Sequence, residues 1–149
     1  MKNTSQNTTK VRELMNQKPI LVGPDETLQE AARKMKETNC GVLPVGSENN
    51  VQGIITDRDI IIRAISAGKN PATEKVGDYM TTKICACSEN DSLTEAAETM
   101  HENDVSRLVV TNDIGKVCGI LSFGHILRKH HNQNEVVEVV ACATGKKVA

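Results

Sequence analysis

The segment GIITDRD, residues 53–59, combines residue types that could bind a nucleotide. Its apolar run leads into a T-x-x-D pattern, which predicts a strand that passes directly into a helix. Thr56 would then lie at the helix N-cap, where unpaired N–H groups and the helix dipole favour a phosphate. Asp59, in the first turn, could accept both hydroxyls of a ribose, and Gly53 would let a ligand approach the backbone. T-x-x-D is also the spacing of an ordinary helix cap, so spacing alone leaves both interpretations open.

The chain contains two copies of one sequence unit. TLQEAARKM at residues 27–35 recurs as SLTEAAETM at 92–100, GIIT at 53–56 recurs as GILS at 119–122, and Val11 and Met15 recur as Val76 and Met80. Such ordered self-similarity is the sequence signature of a repeat. We predict repeats at residues 11–67 and 76–131 with a linker at 68–75. Residues 1–10 are expected to be a disordered tail, and residues 132–149 a C-terminal tail that the repeat does not place.

Each repeat is predicted to fold as strand–helix–strand–strand–helix. In the first copy the strands are expected at 19–22, 42–45 and 51–55, and the second helix at 57–67. The first helix follows Thr27, which lies three residues before Glu30 in the pattern of a capping box, and Ser92 and Glu95 repeat that pattern. Its apolar residues have the i, i+3, i+4, i+7 spacing of a helix with one buried face. Neither copy could bury much surface alone, so we expect the two to pack together.

Composition excludes several classes of function. The 149 residues are 38% hydrophobic and 25% charged, with a net charge of −1, so no broad basic field is available for nucleic acid. One Tyr, one Phe and no Trp leave no stacking platform for bases. Because no apolar run approaches the roughly 20 residues of a membrane span and the N-terminus lacks an apolar signal region, we expect a cytoplasmic protein with reduced cysteines.

The spacing of the cysteines and histidines does not favour a metal site. Cys85-Ala86-Cys87 is C-x-C, not the C-x-x-C of zinc sites, and His125, His130 and His131 lack the spacing of a helical metal pair. The motifs hold neither a nucleophile beside a base nor a Walker loop, so we expect no enzyme and no catalytic cofactor. A redox or metal sensor is the least favoured alternative.

The ordered set of motifs resembles a known family. The V-x-x-h-M openings (h is apolar), the L-x-E-A-A helices, the LPV and LVV strands and the G-h-h-[ST]-x-x-D junction are similar to those of CBS domain pairs, named for cystathionine β-synthase. The set occurs twice in the same order, with His125 in place of the Asp in the second junction. The resemblance covers roughly residues 11–131 and implies an α+β fold in which two CBS repeats pack about a pseudo-twofold axis and leave two clefts. It further implies a stand-alone regulatory Bateman module that binds an adenosine nucleotide, AMP or ATP above others, forms a homodimer and signals to an unknown target protein.

Carried over residue by residue, the resemblance implies two unequal sites. The first holds Gly53, Thr56, Asp57 and Asp59, and repeat two supplies its far wall. That wall comprises Ile84, Cys85, Val105, Ser106 and Arg107. Arg107 could clamp a phosphate, although it could also be a solvated surface residue.

The weaker second site keeps the hydroxyl of Ser122, but His125 stands in place of the ribose carboxylate. Its far wall comes from Ile20 and Val42, and Val42 occupies the position that matches Arg107. His125 could also be an ordinary helix residue. We therefore expect one strong adenosine site per chain; the alternative is an interaction module that dimerises or docks without any ligand.

Overall fold

The structure, a computed structural model, describes residues 8–146 of the chain. The disordered tail predicted for residues 1–10 falls mostly on residues 1–7, which lie outside the described residues, as do residues 147–149. In chain order the elements are α1 (Val11–Leu14), β1 (Asn16–Gln17), α2 (Leu28–Thr38), β2 (Val42–Ser47), β3 (Asn50–Thr56), α3 (Asp57–Asp59), β4 (Ala86–Ser88), α4 (Leu93–Asn103), β5 (Arg107–Thr111), β6 (Val117–Ser122), α5 (Phe123–Lys129) and α6 (Gln133–Thr144). This mixture of helices and strands, repeated twice, confirms the predicted fold class.

The elements form two units, each with its own apolar core. In the unit of residues 19–84, β2 and β3 form an antiparallel hairpin on which α2 packs. α2 begins where the Thr27 hydroxyl accepts a hydrogen bond from the Glu30 N–H at 3.1 Å, as the capping pattern predicts, and ends at Asn39 in the left-handed conformation. The apolar stripe of α2 and the inward side chains of the hairpin exclude water from this core. Its fully buried members are Leu28, Ala31, Val45, Ile55, Ala64 and Val76.

The other unit combines residues 85–146 with residues 8–18. Its sheet has the strand order β1-β6-β5-β4, in which β4 and β5 are parallel and α4 crosses between them. α4 begins with a capping box, since the Ser92 hydroxyl accepts from the Glu95 N–H and the Glu95 carboxylate accepts from the Ser92 N–H. The cores of the two units therefore rest on equivalent positions of the two repeats.

The opening segments of the two repeats are exchanged between the units. The Val11 N–H donates to the Asp91 carbonyl at 2.8 Å, so α1 belongs to the second repeat's unit. The Val76 N–H donates to the Glu26 carbonyl at 2.9 Å, and residues 76–78, a short 3₁₀ turn, belong to the first repeat's unit. Both valines are fully buried. The opening of the first repeat thus completes the core of the second repeat, and the opening of the second repeat completes the core of the first.

Two elements of the first repeat differ from the prediction. The strand expected at 19–22 is a single parallel bridge between Val22 and Val45, because Pro19 has no N–H to donate and the chain turns at Gly23. The helix expected at 57–67 begins at Asp57 but is α-helical for three residues only, and it continues as π-helix from Ile60 to Ile65. In the second repeat, the strand equivalent to 19–22 would include Ile84 and Cys85, but both residues precede β4.

The apolar C-terminal stretch forms a helix on the second repeat. α6 begins at Asn132, whose side chain accepts from the Glu135 N–H, and ends at Gly145 with φ 71°. It packs against α4, with Val139 fully buried between them. Between residues 8 and 146, no helix has the length and apolar character needed to cross a membrane.

Candidate functional site

Thr56 and Asp59 close a capping box at the junction of β3 and α3. The Thr56 hydroxyl accepts from the Asp59 N–H at 3.0 Å, and the Asp59 carboxylate accepts from the Thr56 N–H at 3.0 Å. The extended backbone of Thr56 turns the chain from strand to helix within one residue. Both side chains are half-buried, so the pair is fixed in place yet accessible.

Thr81 is a third member of this site that sequence reasoning missed. Its hydroxyl lies 3.4 Å from both oxygens of the Asp59 carboxylate and donates to them. Its backbone forms an antiparallel bridge with Ile54, with N···O distances of 2.8 and 2.9 Å. The available signal was its place directly after Met80, the last residue of the second V-x-x-h-M opening.

The arrangement leaves hydrogen-bonding capacity for a ligand. A carboxylate has about four acceptor positions, and those of Asp59 are only partly used by Thr56 and Thr81. The Thr56 hydroxyl accepts one hydrogen bond and keeps its own proton to donate. One acceptor for adjacent hydroxyls and one donor for an anion thus lie on a single turn of chain.

Gly53 contacts the chain itself at close range. A Cβ at this buried glycine would lie 2.6 Å from the Thr81 carbonyl oxygen and 3.0 Å from the Met80 sulfur. The missing side chain therefore admits the exchanged opening segment. Its predicted second use, close approach by a ligand, stays a prediction.

The second junction has the same cap with different chemistry. The Ser122 hydroxyl accepts from the His125 N–H at 3.0 Å, so His125 takes the position of Asp59. Burial lowers the pKa of His125, and the charges of Arg128 and Lys129 lower it further. At neutral pH its imidazole is therefore neutral and offers a single acceptor nitrogen.

Strand register places one candidate residue beside each hydroxyl. Val42 pairs with Thr56 across the β2–β3 hairpin, and Arg107 pairs with Ser122 across β5 and β6. Directly paired residues of antiparallel strands project from the same face. Within its own repeat, Arg107 is thus the neighbour of Ser122, while its predicted role opposite Thr56 stays a prediction.

The predicted site residues divide between the two units. The unit of residues 19–84 contains the junction of Thr56 and Asp59 and also Ile84, whose position relative to that junction stays a prediction. It also contains Ile20, with an exposed side chain, and Val42, with a buried one. Asp57 is exposed at the start of α3, and its N–H donates to the Gly41 carbonyl. The unit that contains the second repeat holds Cys85, Val105, Ser106, Arg107, Ser122 and His125. In it, the Ser106 carbonyl accepts from the Phe123 N–H at 2.9 Å, which ties the start of β5 to the start of α5.

Three of the five cysteines have thiols whose pKa values are raised. Burial raises the pKa of Cys87 to about 12, helped by the Asp91 carboxylate and by Cys118. Burial also raises the pKa of Cys118 and of Cys142. Thiols with raised pKa values stay protonated at neutral pH, whereas nucleophilic attack and metal ligation need the thiolate. In the part of the chain that the structure describes, no three Cys, His, Asp or Glu side chains gather as a metal site would require.

Comparison with known proteins identifies two copies of one domain. The family model for the CBS domain matches residues 11–65 and 76–132. Hypoxic response protein 1 of Mycobacterium tuberculosis is 34% identical over 133 residues, which cover 89% of this chain and 92% of that protein.

Two solved structures that share the fold are 35% and 26% identical in sequence to this chain. The crystal structure of Hypoxic Response Protein I with two coordinated zinc ions matches with a TM-score of 0.68 and 35% identity, and the match covers 83% of this chain and 100% of that one. The CBS domain pair of protein MJ0100, crystallised with 5′-methylthioadenosine and S-adenosyl-L-methionine, matches with a TM-score of 0.71 and 26% identity over 81% of this chain and 94% of that one.

Proposed function

The chain belongs to the CBS domain family, and from that premise we propose that it is a cytoplasmic regulatory module that binds one adenosine nucleotide per chain. Binding would signal to a separate target protein, and the chain itself would catalyse no reaction. AMP or ATP is the proposed ligand. The pair of CBS domains in protein MJ0100 binds adenosine derivatives, which supports this class of ligand.

The Asp59 carboxylate is the observation that carries the proposal. It is fixed by hydrogen bonds to the Thr56 N–H and the Thr81 hydroxyl, and it retains acceptor positions for the two hydroxyls of a ribose. A helix cap needs only one of its oxygens. The adjacent Thr56 hydroxyl would donate to a phosphate, so ribose and phosphate would be bound by neighbouring residues.

The second junction is proposed to bind weakly. Ser122 keeps the hydroxyl, but neutral His125 cannot accept from two adjacent hydroxyls as a carboxylate does. A hydrogen bond to a charged group contributes roughly 1.5–3 kcal/mol, which is about 10- to 150-fold in affinity. We therefore expect one strong site in each chain.

Calorimetric titration with AMP, ATP and S-adenosylmethionine tests the proposal. Asp59→Asn keeps the size of the side chain and an oxygen for the helix cap but removes the charge, and it should weaken the preferred ligand at least tenfold. The matched variant His125→Asn, at the equivalent position of the second repeat, should change the affinity less than threefold. Two equivalent sites per chain, or an Asp59→Asn variant that binds as tightly as the natural protein, would refute the asymmetric nucleotide site.

Two alternatives remain with their own tests. A ligand-free interaction module would show no thermal stabilisation by any adenosine ligand, whereas a ligand at 100 times its dissociation constant adds about 2.7 kcal/mol of stability. A metal sensor is suggested by the zinc ions of Hypoxic Response Protein I. Metal analysis of the purified protein, with zinc near one equivalent per chain, would favour it.

A further inference from the structure

An open apolar groove lies on the first repeat. It runs between α2 and the helix that begins at Asp57, has a volume of about 400 Å³, and is lined among others by Ala32, Met35, Lys36 and Ile61. Ile61 is 57% exposed beside it, and the nearby Ile62 and Ile65 are about half exposed. Neighbouring exposed isoleucines on a single helix are typical of a surface that binds a partner.

The equivalent face of the second repeat is covered by α6. Ala97 and His101 of α4 correspond to Ala32 and Lys36 of the groove. Ala97 is fully buried in the core that contains Val139 of α6, whereas Ala32 is exposed. At the far end of α6, a Cβ on Gly145 would lie 2.5 Å from the His101 ring. The chain therefore shows which kind of element fits this face of a repeat, namely an amphipathic helix with small apolar residues.

α6 carries a second apolar stripe on its outer face. Val139 and Cys142 point to the core, while Val137 and Val140 are 49% and 36% exposed. The outer pair has the i, i+3 spacing of one helix face, and Ala141 extends it at i+4 from Val137. Within the described residues, one chain thus presents both an open groove that fits a helix and a helix with an exposed apolar stripe.

We propose that the groove of the first repeat binds the outer face of α6 from a second copy of this chain. In a twofold dimer the contact would form twice, because each copy supplies one groove and one helix. The contact would remove Ile61, Val137 and Val140 from water. The inference rests on the homodimer that the resemblance to CBS domain pairs implies, but it does not depend on the nucleotide site.

Two single variants test the proposal. Ile61→Asp alters the groove and Val137→Asp alters α6, and each should raise the dimer dissociation constant at least tenfold in sedimentation equilibrium. The control is Ile114→Asp, at a 77% exposed isoleucine in the turn between β5 and β6, which should dimerise like the natural protein. Because all three side chains are exposed, each variant should keep its circular dichroism, whereas the melting temperature should fall only in the two variants that lose the dimer.

Mixing the Ile61→Asp and Val137→Asp variants distinguishes the proposed contact from a dimer in which the grooves of the two copies bind each other. A dimer of one Ile61→Asp chain with one Val137→Asp chain retains one intact contact, since an unaltered groove faces an unaltered helix. The mixture should therefore contain dimers at concentrations where each variant alone is monomeric. A Val137→Asp variant that dimerises normally, or a mixture that shows no recovery, would refute the α6 contact. A monomeric natural protein would refute the homodimer and this contact together, while nucleotide binding would still be measured separately.

Discussion

Gly53 and Gly119 show how one residue position determines where the exchanged opening segments pack. They occupy equivalent positions, in β3 and β6, and each is approached by a methionine of an opening segment, Met80 and Met15 respectively. The nearest atom to a Cβ at Gly53 would be the Thr81 carbonyl oxygen at 2.6 Å, whereas at Gly119 it would be the Met15 sulfur at 2.6 Å. A backbone oxygen held by a bridge cannot move as a methionine side chain can.

Gly53→Ala should therefore destabilise the protein more than Gly119→Ala. Overpacking against the fixed Thr81 carbonyl should reduce the free energy of unfolding by roughly 1–3 kcal/mol. The loss at Gly119 should be smaller, because Met15 can shift and the nearest backbone oxygen, that of Asn16, would lie farther away at 3.0 Å. Gly124→Ala is the control, since a Cβ there meets only the flexible end of Arg128 inside α5. Urea unfolding measures all three, and an equal loss at Gly53 and Gly124 would contradict the steric explanation.

The local part of the candidate site could be predicted, and the non-local part could not. Thr56 and Asp59 are three residues apart, so their meeting at a helix cap follows from spacing. Thr81 reaches Asp59 only because a later segment of the chain pairs with Ile54. The V-x-x-h-M opening before Thr81 marks the start of a repeat but does not specify that pairing.

At the scale of elements, Glu135 links α6 to the N-terminal segment. Its side chain is buried and accepts hydrogen bonds from the Thr9 N–H at 3.0 Å and from His130 Nε2 at 2.5 Å. Burial alone would raise the pKa of Glu135, but these hydrogen bonds, together with the charge of His130, hold it below the ordinary value. The ionised form therefore stabilises the folded state.

The contribution of Glu135 should depend on pH in one direction. Because the folded pKa is depressed, the stabilisation is complete above the ordinary glutamate pKa and is lost as pH falls through the lower folded value. Glu135→Gln should lower the free energy of unfolding by roughly 1–3 kcal/mol at pH 7 and by much less in acid. Urea unfolding of the natural protein and the variant, measured from pH 7 into acid, checks this pH dependence. The control is Glu138→Gln, since Glu138 is exposed on the same helix. A loss that is independent of pH would show that the charge is not responsible.

Elements with a complete local signal were predicted, and those that depend on distant contacts were not. The capped helices α2 and α4 begin where Thr27 and Ser92 indicate. The strand predicted at 19–22 has suitable apolar residues but too few paired N–H groups, so it is reduced to a bridge at Val22. The packing of α6 could not be predicted, because its sequence has no counterpart in the first repeat to compare.

For the whole molecule, the sequence repeat and the structural unit have different boundaries. The CBS family model matches residues 11–65 as the first repeat, whereas the unit that contains its core spans residues 19–84. Val76 is fully buried in that core, and hydrogen bonds join the Leu28 N–H to the Glu74 carbonyl and the Gly77 N–H to the Pro24 carbonyl. The segment that follows the first repeat is therefore part of its fold.

A fragment cut at the structural boundary should fold better than one cut at the sequence boundary. Residues 19–84 retain Val76 and the bridge between Ile54 and Thr81, while residues 2–67, a fragment of equal length, lose both and keep α1 without the surface on which it packs. Units of this size bury only about 60% of their surface, so the loss of a buried valine and a strand pairing should be decisive. Circular dichroism and dispersion of the amide resonances compare the two fragments directly. Equal folding of both, or folding of residues 2–67 alone, would contradict the exchange of opening segments.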